Sequence, residues 1–240
     1  MDNSQHIEYL KLQNPDFAKA FDSLTDEYTM TLRKISHEFG NALTLINSSL
    51  QIIESSHPEV KTFKYWDTTM EDLLYLKNII SQISQFNNSE MLSLSIIQLY
   101  SILKDVIASF LVHEDVINKN ITLNLAPASN IPDIHGDYIK LKQVFINIIK
   151  NAIEACDENG SININLSVEH SSIIIRISDT GCGLDESQIN NIFSPMITYK
   201  PGGTGLGLPI SRRIIKAHNG DIYVSSTLGK GTTFTIEFSL

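Results

Sequence analysis

The chain has 240 residues, with 18 Lys plus Arg against 27 Asp plus Glu and a formal net charge of −9. That length exceeds one typical domain of roughly 100–200 residues, so one large domain or two small ones are expected. A hydrophobic share of 42% with 19% charged residues excludes a disordered chain, and the acidic balance excludes a global electrostatic grip on nucleic acid or anionic lipid.

Residues 1–22 read as a polar, helical lead-in. They carry no apolar core of a signal peptide, and no run of about 18 or more apolar residues occurs anywhere. From Tyr28 onward, Tyr28, Leu32, Ile35, Phe39, Ala42, Ile46, Ser49 and Ile53 advance by alternating steps of four and three. This is a heptad seam with one polar interruption, and Leu43 and Leu50 widen it. No proline and no glycine except Gly40 interrupts Leu24 to Ser55, so one long helix is expected.

Ser55-Ser56-His57-Pro58 punctuates the pattern. A second helical stripe follows through Trp66, Met70, Leu73, Leu76, Ile80, Ile83 and Phe86. Residues 23–88 therefore read as an α-hairpin with broad apolar faces. Dimerisation into a four-helix bundle covers those faces economically; the alternative is a hairpin packed on its own second domain.

Asn87 to Glu90 forms a polar joint, and residues 89–240 read as a second domain. Ile96–Ile117 looks helical and Ile121–Leu125 alternates like a strand. Asp137–Cys156 is helical with Asp137 as N-cap. Strands are expected at Ser161–Val168, Ser172–Ser178, Asp221–Ser226 and Thr232–Phe238, with a helix over Gly205–Ala217. The fold class is α+β: a helical hairpin followed by a two-layer α/β sandwich.

Three segments of the second domain carry chemistry. Asn147 and Asn151 share a helix face four residues apart, and paired amide carbonyls can hold a hydrated Mg²⁺; two plain surface asparagines would look the same. Asp179 ends a strand and meets Gly181 and Gly183, whose lack of side chains would let backbone approach a flat ligand while the carboxylate accepts from an exocyclic amine. In Lys200-Pro201-Gly202-Gly203-Thr204-Gly205-Leu206-Gly207-Leu208, glycines open onto a helix N-terminus suited to an anion. The spacing is not GxGxxG, and no GxxxxGK[ST] occurs, so a P-loop is excluded.

In this order and spacing the segments resemble the N, G1 and G2 boxes of the Bergerat-fold ATPases, over roughly residues 92–240, and Ile192 to Thr198 is similar to the intervening F box. The resemblance implies an ATP pocket under a mobile lid at about Leu184 to Thr204. Asp179 would read the adenine amino group, with Gly181 and Gly183 beside it. Asn151, helped by Asn147, would hold Mg²⁺. Lys150, Lys200 and the segment Gly203, Thr204, Gly205, Leu206, Gly207 would surround the phosphates. Ile192, Phe193, Thr198 and Thr233 match further pocket positions. ATP-hydrolysing members carry a glutamate where this chain has Asn147. An amide cannot take the proton from water, so the pocket is expected to offer its γ-phosphate to another nucleophile.

That nucleophile is suggested by Ser36-His37-Glu38-Phe39-Gly40-Asn41. His37 lies away from the seam, with Asn41 one turn on. A neutral imidazole has a lone pair at physiological pH, and Glu38 can take its proton. The segment resembles the H box of the sensor histidine kinases of two-component systems, with Gly40 where arginine is frequent and Ala42 where proline is. The resemblance implies His37 as phosphoacceptor, Glu38 as its base, and Asn41 as the residue orienting water in kinases that also dephosphorylate their regulator. It further implies a homodimer, ATP and Mg²⁺, and a response regulator as partner. His6, His57, His113, His135, His170 and His218 show no zinc-site spacing. Cys156 and Cys182 form no CxxC and suit a reducing, cytoplasmic setting.

Two other readings share much of this pattern. A phosphorelay phosphotransferase or scaffold would have an eroded nucleotide domain, against which the intact Asn151, Asp179 and glycine set argues. An anti-sigma-type serine/threonine kinase on the same ATP fold would lack the hairpin carrying His-Glu. Residues 1–22 are too short to sense a ligand alone, so the chain is read either as a fragment of a larger sensor or as a kinase signalled by a partner.

Overall fold

A computed structural model describes residues 3–126, 130–200 and 202–240. The chain forms two compact units, Met1–Asn88 and Ser89–Leu240.

The first unit is helical: α1 (Asn3–Gln13), α2 (Pro15–Ser56), a 3₁₀ turn (Pro58–Thr62) and α3 (Trp66–Asn87). The long helix starts nine residues before the expected Leu24. Asn14 caps it, Oδ1 accepting from the N–H groups of Asp16 (3.1 Å) and Phe17 (3.0 Å), with Pro15 in the first turn. Residues 15–22 therefore form the first turns of α2. Pro58 has no N–H to extend α2 and opens the 3₁₀ turn instead. Arg33 then joins the ends of the hairpin, its guanidinium donating twice to the Asn87 carbonyl at 3.0 and 2.9 Å. A cation there complements the negative end of α3.

The apolar seam of α2 does not face α3. Its least exposed row is Ser36, Gly40, Leu43, Asn47, Leu50 and Glu54, one residue out of phase with the expected seam. Gly40 lies against Ile80, and Ser36 is buried with its hydroxyl donating to Leu32 O. Small side chains let the two helices approach closely. The seam is left open: Tyr28 is 64% exposed, Phe39 56% and Ile46 50%. The α3 stripe holds better, with Leu73 buried and Leu76 exposed.

The second unit comprises β1 (Ser95–Ile97), α4 (Leu99–Phe110), α5 (Glu114–Asn118), β2 (Thr122–Leu125), β3 (Ile134–Gly136), α6 (Tyr138–Ala155), β4 (Ser161–Glu169), β5 (Ser172–Asp179), α7 (Glu186–Asn191), α8 (Gly207–Ala217), β6 (Gly220–Thr227) and β7 (Gly231–Ser239). The main sheet runs β2-β4-β5-β7-β6; β2 is parallel to β4 and the other pairs are antiparallel. Period-two alternation puts Ile162 and Ile164, Ile173, Ile175 and Ile177, and Phe234, Ile236 and Phe238 into the core. They meet α6 through buried Leu141, Val144, Phe145, Ile148 and Ile149.

Two expectations are corrected here. Residues 96–117 are not one helix: β1 pairs antiparallel with β3, and His113 starts α5 by accepting from Asp115 N–H. Three-residue strands carry too little alternation to be read from the sequence. α8 begins at Gly207 rather than Gly205, because Gly205 has φ +67 and cannot be helical.

One buried cluster ties the second unit together. His218 Nδ1–H donates to Ile214 O at 2.7 Å, and its Nε2 accepts from Asp137 N–H at 2.9 Å. Asp137 in turn accepts from Lys140 N–H (3.0 Å) and Ser93 N–H (2.8 Å). Burial works to raise the Asp137 pKa, but these N–H bonds outweigh it and hold the carboxyl low. Burial lowers the His218 pKa. A lowered histidine stabilises the fold fully above its unfolded value of about 6.5 and loses that contribution as pH falls below it. The urea midpoint of the second unit is therefore expected to drop between about pH 7 and pH 5. His218→Gln can still accept from Asp137 N–H without titrating, so it should flatten this slope; parallel slopes would refute the assignment.

Candidate active site

The first group of residues lies on α2. His37, Glu38 and Asn41 are all exposed, and about 100° of rotation per residue puts His37 on the side of the helix away from the seam. The Asn41 amide nitrogen stands 3.2 Å from His37 Nδ1. As a donor it makes Nδ1 the acceptor and leaves the ring proton on Nε2. With its oxygen turned inward, the same amide accepts from Nδ1–H and frees the Nε2 lone pair. Glu38 makes no hydrogen bond to His37 among the described residues.

The second group converges at one end of the main sheet. Asp179 ends β5, only 8% exposed. Its Oδ1 accepts from Gly181 N–H at 2.9 Å and from Thr232 N–H at 3.2 Å. Among the described residues no donor reaches Oδ2, which stays available to a ligand amine. Burial raises the carboxyl pKa, while the two N–H bonds and the charge of Lys200 oppose that.

On α6, Asn151 Oδ1 accepts from Lys200 Nζ at 3.1 Å. Asn147 is committed differently: Nδ2 donates to Ser211 Oγ at 2.9 Å, and Oδ1 fills the space that a Cβ on Gly207 would occupy, 2.4 Å away. Asn147 thus docks the start of α8 on α6. The structure brings Asn151, Lys200 and Asp179 into one neighbourhood and leaves Asn147 behind them as a support. Lys150 is exposed, its Nζ 3.9 Å from Glu154 Oε1.

The two glycines after Asp179 pack closely against the chain's own backbone. A Cβ on Gly181 would stand 2.5 Å from Ala155 O, and one on Gly183 (φ +69) would stand 2.2 Å from Thr227 O. This close passage lets Cys182 N–H donate to the last carbonyl of α6 at 3.0 Å.

The following segment is anchored from below. Ile192 is buried, and Phe193 packs edge-on to Phe234 at 6.5 Å with the Arg212 guanidinium 5.2 Å from its ring. These two side chains hold the segment down. Thr198 Oγ1 accepts from Lys200 N–H at 3.2 Å, Gly203 N–H donates to Lys200 O at 3.1 Å, and Thr204 Oγ1 accepts from Leu206 N–H at 3.4 Å. Leu206 is buried, and Gly205 turns against Ile197. Pro201 lies outside the described residues.

Thr233 is corrected. Its hydroxyl donates to Ser178 Oγ at 2.9 Å, on the sheet face opposite Asp179. Thr232 is the threonine on the Asp179 side: buried, donating its N–H to Asp179, with its hydroxyl 3.0 Å from Ser226 Oγ. Alternation back from inward Phe234 marks Thr232, and the sequence contains that pattern. Glu154 and Ser211 were also missed, and only the fold brings them to Lys200 and Asn147.

Residues 136–240 match the family described as Histidine kinase-, DNA gyrase B-, and HSP90-like ATPase. Sporulation kinase C of Bacillus subtilis (strain 168) is 34% identical over 208 residues, 86% of this chain and 47% of that protein. The solved catalytic domain of histidine kinase ThkA is 31% identical with a TM-score of 0.55, covering 61% of this chain and 95% of that one. The chain belongs to the histidine kinase family. A structure of ThkA in complex with response regulator protein TrrA shares its fold at a TM-score of 0.61 and 24% identity, covering 100% of this chain and 68% of that one. This histidine kinase chain spans about half or less of the length of its curated relatives. No described helix is long and apolar enough to cross a membrane.

Proposed function

We propose that this chain is a histidine kinase core that binds ATP with Mg²⁺ in its second unit, autophosphorylates on His37, and passes the phosphoryl group to an aspartate of a response regulator. The observation that carries the reading is the amide at 147. It is bonded to Ser211 and packed on Gly207, so it cannot activate water, while an exposed imidazole waits on α2. The residues fit the nucleotide: Asp179 Oδ2 is a free acceptor for the adenine amine, and Lys200 lies beside Asn151 as a cation for the phosphates.

In the transfer, the lone pair of His37 Nε2 attacks the γ-phosphorus as the bond to the ADP oxygen breaks. The proton on Nδ1 would pass to Glu38 after that carboxylate replaces Asn41 at the ring, leaving a neutral phosphohistidine. Asn151, once its Oδ1 is released by Lys200, would hold Mg²⁺, which would supply charge neutralisation on the phosphates. Before the transfer, Asn41 keeps the ring turned so that Nε2 faces outward, and in hydrolytic dephosphorylation of the regulator it would orient the attacking water. The ThkA complex with TrrA supports a receiver-domain partner. Cys156 and Cys182, both free, suit the reducing cytoplasm. Labelling from γ-labelled ATP, followed by transfer to candidate receiver domains, tests the whole reading.

The open seam supports a homodimer. Tyr28, Ile35, Phe39, Ile46 and Ile53 form one exposed apolar row, and burying each is worth about 1.5–3 kcal/mol. Ile46→Glu puts a charge in the middle of that row. Sedimentation is expected to show the parent as a dimer and the variant as a monomer; a dimeric variant would place the contact elsewhere.

A further inference from the structure

Glu154 lies on α6 one turn beyond Asn151 and belongs to none of the nucleotide contacts described above. Its Oε2 accepts from Lys200 Nζ at 2.6 Å, shorter than the 3.1 Å bond from the same ammonium to Asn151 Oδ1. Its Oε1 stands 3.9 Å from Lys150 Nζ. One carboxylate thus faces both lysines available to the phosphates, in a partly exposed setting where side-chain exposures are 35% for Glu154 and 44% for Lys200.

We propose that Glu154 is the resident counter-anion of Lys200, and that the terminal phosphates of ATP must displace it to bind. The proposal rests on the reading of Lys200 as a phosphate ligand. Two anions cannot share one ammonium without mutual repulsion, so the carboxylate weakens binding in proportion to the phosphate charge that reaches Lys200. Glu154 is accordingly a positioning residue. It keeps Lys200 beside Asn151 before nucleotide arrives, and it sets the discrimination between a nucleoside triphosphate and a monophosphate.

Calorimetric titration of the full chain with ATP and with AMP, in EDTA so that metal does not mask the charge, separates the outcomes. Glu154→Gln keeps the shape and removes the charge. It should tighten ATP by roughly two- to fivefold, the scale of a partly exposed ion pair, and leave AMP unchanged. Glu154→Asp keeps the charge and should bind ATP close to the parent. Unchanged or weaker ATP binding by Glu154→Gln, or an equal gain for AMP, overturns the proposal while the kinase reading stands. A parent chain that binds ATP with Mg²⁺ but not in EDTA overturns the proposal alone, and one that binds ATP under neither condition overturns both.

Discussion

His37→Gln is expected to bind ATP as the parent does and to incorporate no phosphate. The side chain stays polar and of similar size on an exposed helix position, so α2 has no reason to unfold. The nucleophilic lone pair is gone, and removing a nucleophile costs at least about a thousandfold in rate. His37 belongs to Met1–Asn88, while Asp179, Asn151 and Lys200 belong to Ser89–Leu240, so affinity and labelling should separate cleanly. In the parent, the label is expected on nitrogen: lost in acid and kept in base. If His37→Gln labels at the parental rate, or if the parental label survives acid, the acceptor is another residue. Transfer from the labelled parent to a receiver domain is then expected to empty His37 and to leave the nucleotide site unaffected.

Asp179→Asn is the second large effect, and its direction follows from the two oxygens of the carboxylate. Oδ1 is fixed by the N–H groups of Gly181 and Thr232. An asparagine must keep its own oxygen there, since an NH₂ would face two donors. Its nitrogen then points where Oδ2 was, donor against the donor amine of adenine. Leaving such groups unpaired costs about 1.5–3 kcal/mol, roughly a 10- to 150-fold loss of ATP affinity. The same nitrogen can donate to a purine carbonyl, so affinity for inosine triphosphate should fall far less. pH supplies an independent check. Burial raises the Asp179 pKa, so ATP affinity in the parent should weaken as pH falls while still above the ordinary aspartate range near 3.9. Asp179→Asn should lack that dependence. ATP affinity within twofold of the parent in the variant would remove Asp179 from the purine contact.

Much of the second unit was legible because its strands alternate strictly. β4, β5, β6 and β7 fall within a residue or two of their expected positions, and Asp137 caps α6 as its place before Tyr138 implies. The pattern failed where the physical cause was not periodic. The start of α2 at Asn14-Pro15 was a capping signal without an apolar stripe behind it. The inner row of the hairpin, Ser36, Gly40 and Asn47, is small or polar, so hydrophobicity pointed to the neighbouring row that faces outward. Gly181 and Gly183 were read as points of close approach to a flat ligand, and the sequence held no sign that they also pack on Ala155 and Thr227, far along the chain. The Lys200–Glu154 pair joins residues 46 positions apart, and no local rule places them together. Thr232 differs from these cases, because strand alternation alone distinguishes it from Thr233.

The packing of Asn147 against Gly207 has an evolutionary corollary. A glutamate at 147 would be one methylene longer, and the space ahead of it is already filled by the backbone where α8 begins. On the proposed reading, an acid at 147 would therefore have to arrive together with a retreat of α8 before it could serve a hydrolase. The same contact that seats a helix would also bar the shortest mutational path to an enzyme that spends its nucleotide on water.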